Sequence, residues 1–235
     1  MLQVFLCPKN QPHFIPDASR LQAWFSALVH SGMISCEDQS QALQALTTAQ
    51  ASFTPGIGVI GLFNQEAIDS LLPAELTFES LSICQAPQPE LIPLELDDRA
   101  AFCPHCEDQF PEREIVATLS QLNFLSLDQC AAFCESCQSE HMLRRVVFEP
   151  PSQFARFWLL LDQVGSTRLN PSALREWSAL LGCPLQLLVA QNEASWEEFT
   201  QNDQTEPYFF SESLERAHYR AQRFERKQRG KRRKR

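Results

Sequence analysis

Ser152-Gln153-Phe154-Ala155-Arg156-Phe157-Trp158-Leu159-Leu160-Leu161-Asp162-Gln163-Val164 is the stretch that decides what the C-terminal half of this chain is. Its most apolar part, Phe154–Val164, is cut by Arg156 and Asp162 and falls well short of the roughly 20 residues that a membrane span requires. Phe154, Phe157, Trp158 and Leu161 recur at three- and four-residue spacing, which predicts a helix over Ser152–Val164 with those four on its buried side. Asn170 followed by Pro171 then signals the start of a second helix, and Gly182 its stop. With a short strand at Leu185–Ala190, residues 150–192 read as a small helical region.

Directly before this stretch, Pro150-Pro151 closes a cysteine-rich centre, because neither a helix nor a central strand continues through two prolines. Two segments within it repeat each other: Ala101-Phe102-Cys103-Pro104-His105-Cys106 and Ala132-Phe133-Cys134-Glu135-Ser136-Cys137. Each is A-F-C-x-x-C, and 27 residues separate the cysteine pairs. A two-residue gap lets both sulfurs of a knuckle turn toward one ion, and two knuckles complete the tetrahedral thiolate shell that zinc accepts. Cys103, Cys106, Cys134 and Cys137 are therefore the expected ligands, with Phe102 and Phe133 packing beneath the metal. Free buried thiols or a redox dithiol are the alternatives, and two pairs with matching flanks favour zinc over both. Four thiolates close the shell and leave no position for a reactive water, so the zinc is expected to be structural. Cys130, His105 and His141 stand as alternate ligands, against the simpler readings of a buried thiol and two surface histidines.

The segment from about Ala100 to Phe148 resembles the zinc-ribbon type of small zinc module, a broad class that shares paired C-x-x-C knuckles. That resemblance implies a small β-sheet between the knuckles. Here, however, Ile115, Val116, Leu119 and Leu122 have helical spacing within Pro111–Asn123, which predicts an inserted helix.

Toward the N-terminus, Met1–Leu6 reads as a strand, and Asp17 caps a helix carrying Leu21, Trp24, Phe25, Leu28 and Val29 on one face. A helix is expected across Gln39–Ala51, a buried strand at Ile57–Phe63, a helical stretch near Gln65–Leu72, and strands at Leu76–Cys84 and Leu91–Leu96. Pro87, Pro89 and Pro93 mark the approach to a boundary near Asp98. Gly56-Ile57-Gly58-Val59-Ile60-Gly61 matches G-x-G-x-x-G, but its glycines are interleaved with the expected strand instead of opening a helix, so it is not read as a dinucleotide site. No G-x-x-x-x-G-K-[ST], H-E-x-x-H or G-x-S-x-G sequence is present.

The fold class expected is α+β: a mixed α/β domain over 1–98, a zinc-binding module with an inserted helix over 99–149, and the small helical region over 150–192. An acidic segment over 193–215 and a basic tail over 216–235, helical and then disordered, complete the chain.

The formal net charge of −9 averages two opposite objects. Residues 216–235 hold 11 Lys/Arg and one acid, a net of +10, while the preceding 215 residues net −19. Arg216, Arg220, Arg223, Arg226, Lys227, Arg229, Lys231, Arg232, Arg233, Lys234 and Arg235 suit a phosphate backbone, where neutralised charge releases counterions. RNA is preferred over DNA because arginine-rich segments fold on it. Leu21–Asp98 contains ten acids and no Lys or Arg, which suits a basic protein partner. The absence of an export signal and the odd count of nine cysteines fit a cytoplasmic, reducing setting, or the nucleus if the source is eukaryotic. The function expected is a non-enzymatic zinc-binding adaptor contacting RNA through its tail. A protein-binding assembly factor and a nucleic-acid-processing enzyme are the alternatives, and the oligomeric state is left open.

Overall fold

A computed structural model describes residues 2–36, 46, 51–93 and 100–191. The expected helix across Gln39–Ala51, apart from the helical and buried Leu46, lies largely outside them, as do the acidic segment and the whole basic tail.

The stretch 152–164 is not a helix. Gln153–Asp162 forms β9, a strand inside a six-stranded sheet of order β10-β1-β9-β4-β3-β2. It pairs antiparallel with β1 (Leu2–Pro8) on one side and β4 (Ser80–Ile92) on the other. Phe157, Leu159 and Leu161 face one core, while Trp158 and Leu160 face another. A strand buried on both faces reads as a continuous apolar run, and periodicity alone does not separate such a run from a buried helix. Strand β10 (Leu185–Gln191) then pairs with β1, so the small helical region expected over 150–192 is instead two strands of this sheet joined by a helix. Residues before and after the cysteine-rich centre share one sheet, and that centre is inserted between the neighbouring strands β4 and β9.

The remaining strands differ from expectation in two places. Leu76–Cys84 and Leu91–Leu96 were expected as two strands, but β4 runs unbroken through the proline-rich stretch. Its register against β9 shifts between Gln85 and Glu90, and this irregularity accommodates Pro87 and Pro89, which cannot donate to a regular ladder. Ile57–Phe63 is not a buried strand either. The strand there is β3 (Ser52–Pro55), paired with the short β2 (Ile34–Ser35), and Val59–Leu62 is a 3₁₀ turn with Ile57 99% exposed beside it.

Helix α1 (Ala18–His30) begins where expected, with the Asp17 side chain accepting from the Arg20 amide at 2.9 Å. It buries Leu21, Trp24, Phe25 and Leu28. The short α2 (Gln65–Ser70) is capped by Asn64. A further helix, Pro171–Leu181, has the predicted Asn170 cap and Pro171 start, and ends on Gly182 at φ +78°. Trp24 and Trp177 bring this helix against α1 in an edge-to-face contact, with ring centroids 5.6 Å apart. No helix among the described residues is long and apolar enough to cross a membrane.

The G-x-G-x-x-G match has a packing explanation. The Gly56 and Gly58 amides donate to the Met33 and Gly32 carbonyls at 2.9 and 2.8 Å, so they are committed to the protein's own backbone. A Cβ at Gly56 would lie 2.2 Å from the Gly32 oxygen, and one at Gly58 2.2 Å from the Ser31 oxygen, whereas a Cβ at Gly61 meets nothing nearer than a methionine methyl at 3.7 Å. Gly56→Ala is predicted to destabilise by about 1–3 kcal/mol, as overpacking does, and Gly61→Ala by less than about 0.5 kcal/mol. Urea midpoints of the two variants test this; equal shifts would contradict it.

Candidate metal centre

Within the insertion, β5 (Ala100–Phe102) pairs with β8 (Val147–Glu149) and closes its base. The predicted inserted helix forms over Glu112–Ser120, which we number α3, the Pro171–Leu181 helix being α4. Strands β6 (Ala131–Cys134) and β7 (Ser139–Met142) form a hairpin. The insertion has its own core of Phe110, Ile115, Leu127, Leu143 and Phe148, continuous with Leu91 of β4 and Phe154 of β9.

Each C-x-x-C occupies the tip of a tight turn. In the first, the Cys103 amide donates to the Asp108 carbonyl at 2.9 Å and the Glu107 amide to the Cys103 carbonyl at 3.0 Å. In the second, Cys134 pairs with Ser139 at the hairpin end. The residue after the second cysteine is left-handed in both knuckles: Glu107 at φ +61° and Gln138 at φ +55°. A non-glycine residue there costs energy, and the repeat of that cost marks the two turns as the same device.

These turns bring Cys103, Cys106, Cys134 and Cys137 together, with all four sulfurs within 4.8 Å of one another. The short sulfur–sulfur contacts join the knuckles: Cys103 to Cys137 at 3.7 Å and Cys106 to Cys134 at 3.5 Å. Four thiolates bound to zinc at about 2.3 Å in a tetrahedron stand about 3.8 Å apart, so the donor set fits such an ion. Cys103 and Cys134 are buried, and the His105 and Cys106 amides point at the Cys103 sulfur from 3.4 and 3.5 Å. These N–H groups supply the partial positive charge that a buried thiolate needs.

The other expected participants fall elsewhere. Cys130 is fully buried in the insertion's core and outside the sulfur group; burial raises its pKa. His105 is exposed and contributes its backbone amide. Phe133 does not pack beneath the site: it is 40% exposed on the outer face of the hairpin, and the apolar bed comes from the core just described. Arg144 pairs with Asp128 at 2.9 Å, and His13 of the N-terminal region reaches the same carboxylate at 3.6 Å. The basic residues from Arg216 to Arg235 lie outside the described residues.

One of the alternates does reach the site. His141, for which a surface position was the simpler reading, has its Nε2 3.2 Å from the Cys103 sulfur and 3.5 Å from that of Cys137. A hairpin reading of 131–142 would have favoured it over His105, since His141 lies opposite Ala132 and therefore on the Cys134 face.

Cys103 differs electrostatically from the buried thiols elsewhere in the chain. Burial pushes Cys7 up to about 12, and Cys84 and Cys183 up to about 11, which keeps them protonated and unreactive. At Cys103 burial is the largest influence and acts in the same direction, but the Cys106 and His105 amides together with the Cys106 and Cys134 thiols outweigh it and bring the thiol down to about 7. Burial, together with the adjoining thiols, pushes Cys106 up to about 12 against the opposing Asp108 amide, and burial also raises Cys137.

No family model, curated protein or solved structure matches the chain. The site therefore stands on its own geometry.

Cysteine binds a metal as its thiolate, so an ion entering at neutral pH displaces the protons of at least Cys106 and Cys137. Affinity is thus predicted to strengthen as pH rises and weaken as it falls. Two displaced protons correspond to about a hundredfold loss between pH 7 and 6. Chelator competition at the two pH values measures this, and a pH-independent affinity would contradict it.

Proposed function

We propose that the chain is a non-enzymatic adaptor whose inserted module is held by one structural zinc ion, and whose Arg216–Arg235 tail contacts RNA or a similar polyanion. The observation that carries the zinc part is the convergence of four sulfurs from two matched knuckles. A shell of four thiolates is closed, which supports a structural and not a catalytic ion. Binding of such an ion contributes about 10 kcal/mol or more of folding free energy, in addition to the module's own core and turn hydrogen bonds.

The RNA part rests on charge. With 11 Lys/Arg and one acid in its last twenty residues, the chain offers a dense counter-charge for phosphates. Residues 100–149 carry eight acids against three arginines, so the module itself repels a polyanion and any contact falls to the tail. A second reading is favoured by the same acids together with Phe124 at 88% exposure and Met142 at 42%: the module face docks a basic protein. In that reading the chain is an assembly factor.

Deletion of residues 216–235 separates them. If the tail is the RNA contact, the shortened protein loses at least about a hundredfold in affinity for single-stranded RNA at moderate salt and keeps its zinc content. Unchanged RNA affinity rejects the tail contact. Retained capture of a basic partner by the shortened protein supports the assembly reading.

A further inference from the structure

His141 touches the metal centre without belonging to the group of mutually close donors. Its Nε2 lies 3.2 and 3.5 Å from the Cys103 and Cys137 sulfurs, which are themselves 3.7 Å apart. The nitrogen therefore sits outside one edge of the sulfur tetrahedron. Both distances suit a hydrogen bond to sulfur, and the nitrogen lacks the mutual closeness within 4.8 Å that the four sulfurs share and that atoms bound to one ion would show. The backbone sets this position: β7 pairs His141 with Ala132, a fully buried small residue on the face that also carries Cys134.

We propose that the His141 Nε2–H donates a shared hydrogen bond to the Cys103 and Cys137 thiolates, making it a positioning residue and not a ligand. The inference rests on the zinc reading above. Four thiolates around a divalent ion leave a net charge of −2 in a half-buried site. The amides of His105 and Cys106 offset part of it at Cys103, and among the described residues only His141 bridges the two knuckles with a side-chain donor. A hydrogen bond to a thiolate lowers the energy of its lone pairs. It therefore fixes the separation of the sulfurs and weakens their reactivity toward protons and electrophiles. Outer partners of this kind set metal affinity by about 10- to 100-fold.

The test uses the full chain, stripped of metal and titrated with zinc against a chromophoric chelator, and separately with cobalt(II) as a spectroscopic probe. His141→Leu removes the donor and is expected to weaken zinc by about 10- to 100-fold. It should also move the sulfur-to-cobalt charge-transfer band to longer wavelength, because the thiolates donate more freely. His141→Gln places an amide N–H near the same point and is expected to restore both values. If the leucine variant does not fold, the glutamine variant alone decides, since a band displaced from wild type there would overturn the proposal. Cobalt d–d bands that change from a three-sulfur, one-nitrogen pattern on substitution would make His141 a ligand and also overturn it. A wild-type chain that binds neither ion removes the zinc reading and this inference together. Wild-type binding with an unaltered leucine variant removes this inference alone.

Discussion

Two chain turns that carry C-x-x-C, separated by 27 residues of sequence, meet so that the Cys103 and Cys137 sulfurs stand 3.7 Å apart and those of Cys106 and Cys134 3.5 Å apart. Everything between the turns depends on that meeting. Helix α3 is only nine residues long, and β6 and β7 are four each, lengths at which isolated elements are marginal in water. Four sulfurs pressed together without a cation would bury polarizable groups that titrate against one another. With a divalent ion the same arrangement becomes the strongest single constraint in the module.

That constraint extends into the rest of the protein through apolar contact. Phe148 of β8 packs edge to face on Phe154 of β9 with ring centroids 6.2 Å apart, and Leu91 of β4 joins the same cluster. Because β4 and β9 are adjacent strands of the six-stranded sheet, the insertion leaves and re-enters at one place and shares side chains with both strands. The Asp128 carboxylate adds a polar tie, held by Arg144 and approached by His13, though a half-exposed pair contributes little energy. The module is thus seated on the sheet and not tethered beside it.

The four-cysteine cluster was legible because its chemistry is local: a two-residue gap and matched flanks say which sulfurs face together regardless of the fold around them. Caps were legible for the same reason, as Asp17, Asn170 and Gly182 act within a turn of their own position. What failed was non-local. Residues 153–162 carry apolar side chains at helical spacing only because a strand buried on both sides is apolar nearly throughout, and the partners that make it a strand lie at residues 2–8 and 80–92. Pro87 and Pro89 read as a linker until the register shift against Phe157 and Ala155 is known. Gly56 and Gly58 read as strand glycines until the turn at Gly32 is placed against them. His141 was named only as an alternate, with a surface position the simpler reading, because its chemistry depends on hairpin pairing with Ala132 and not on its distance in sequence from a cysteine.

The measurement closest to the central claim is the metal content of the intact chain recovered from its native cell under anaerobic conditions, read by elemental analysis against protein concentration. One zinc per chain, lost together with the order of residues 100–149 on chelation, is the predicted result. Clearly less than one zinc per chain, with that region equally ordered, would contradict the proposal that a metal ion holds the two knuckles together.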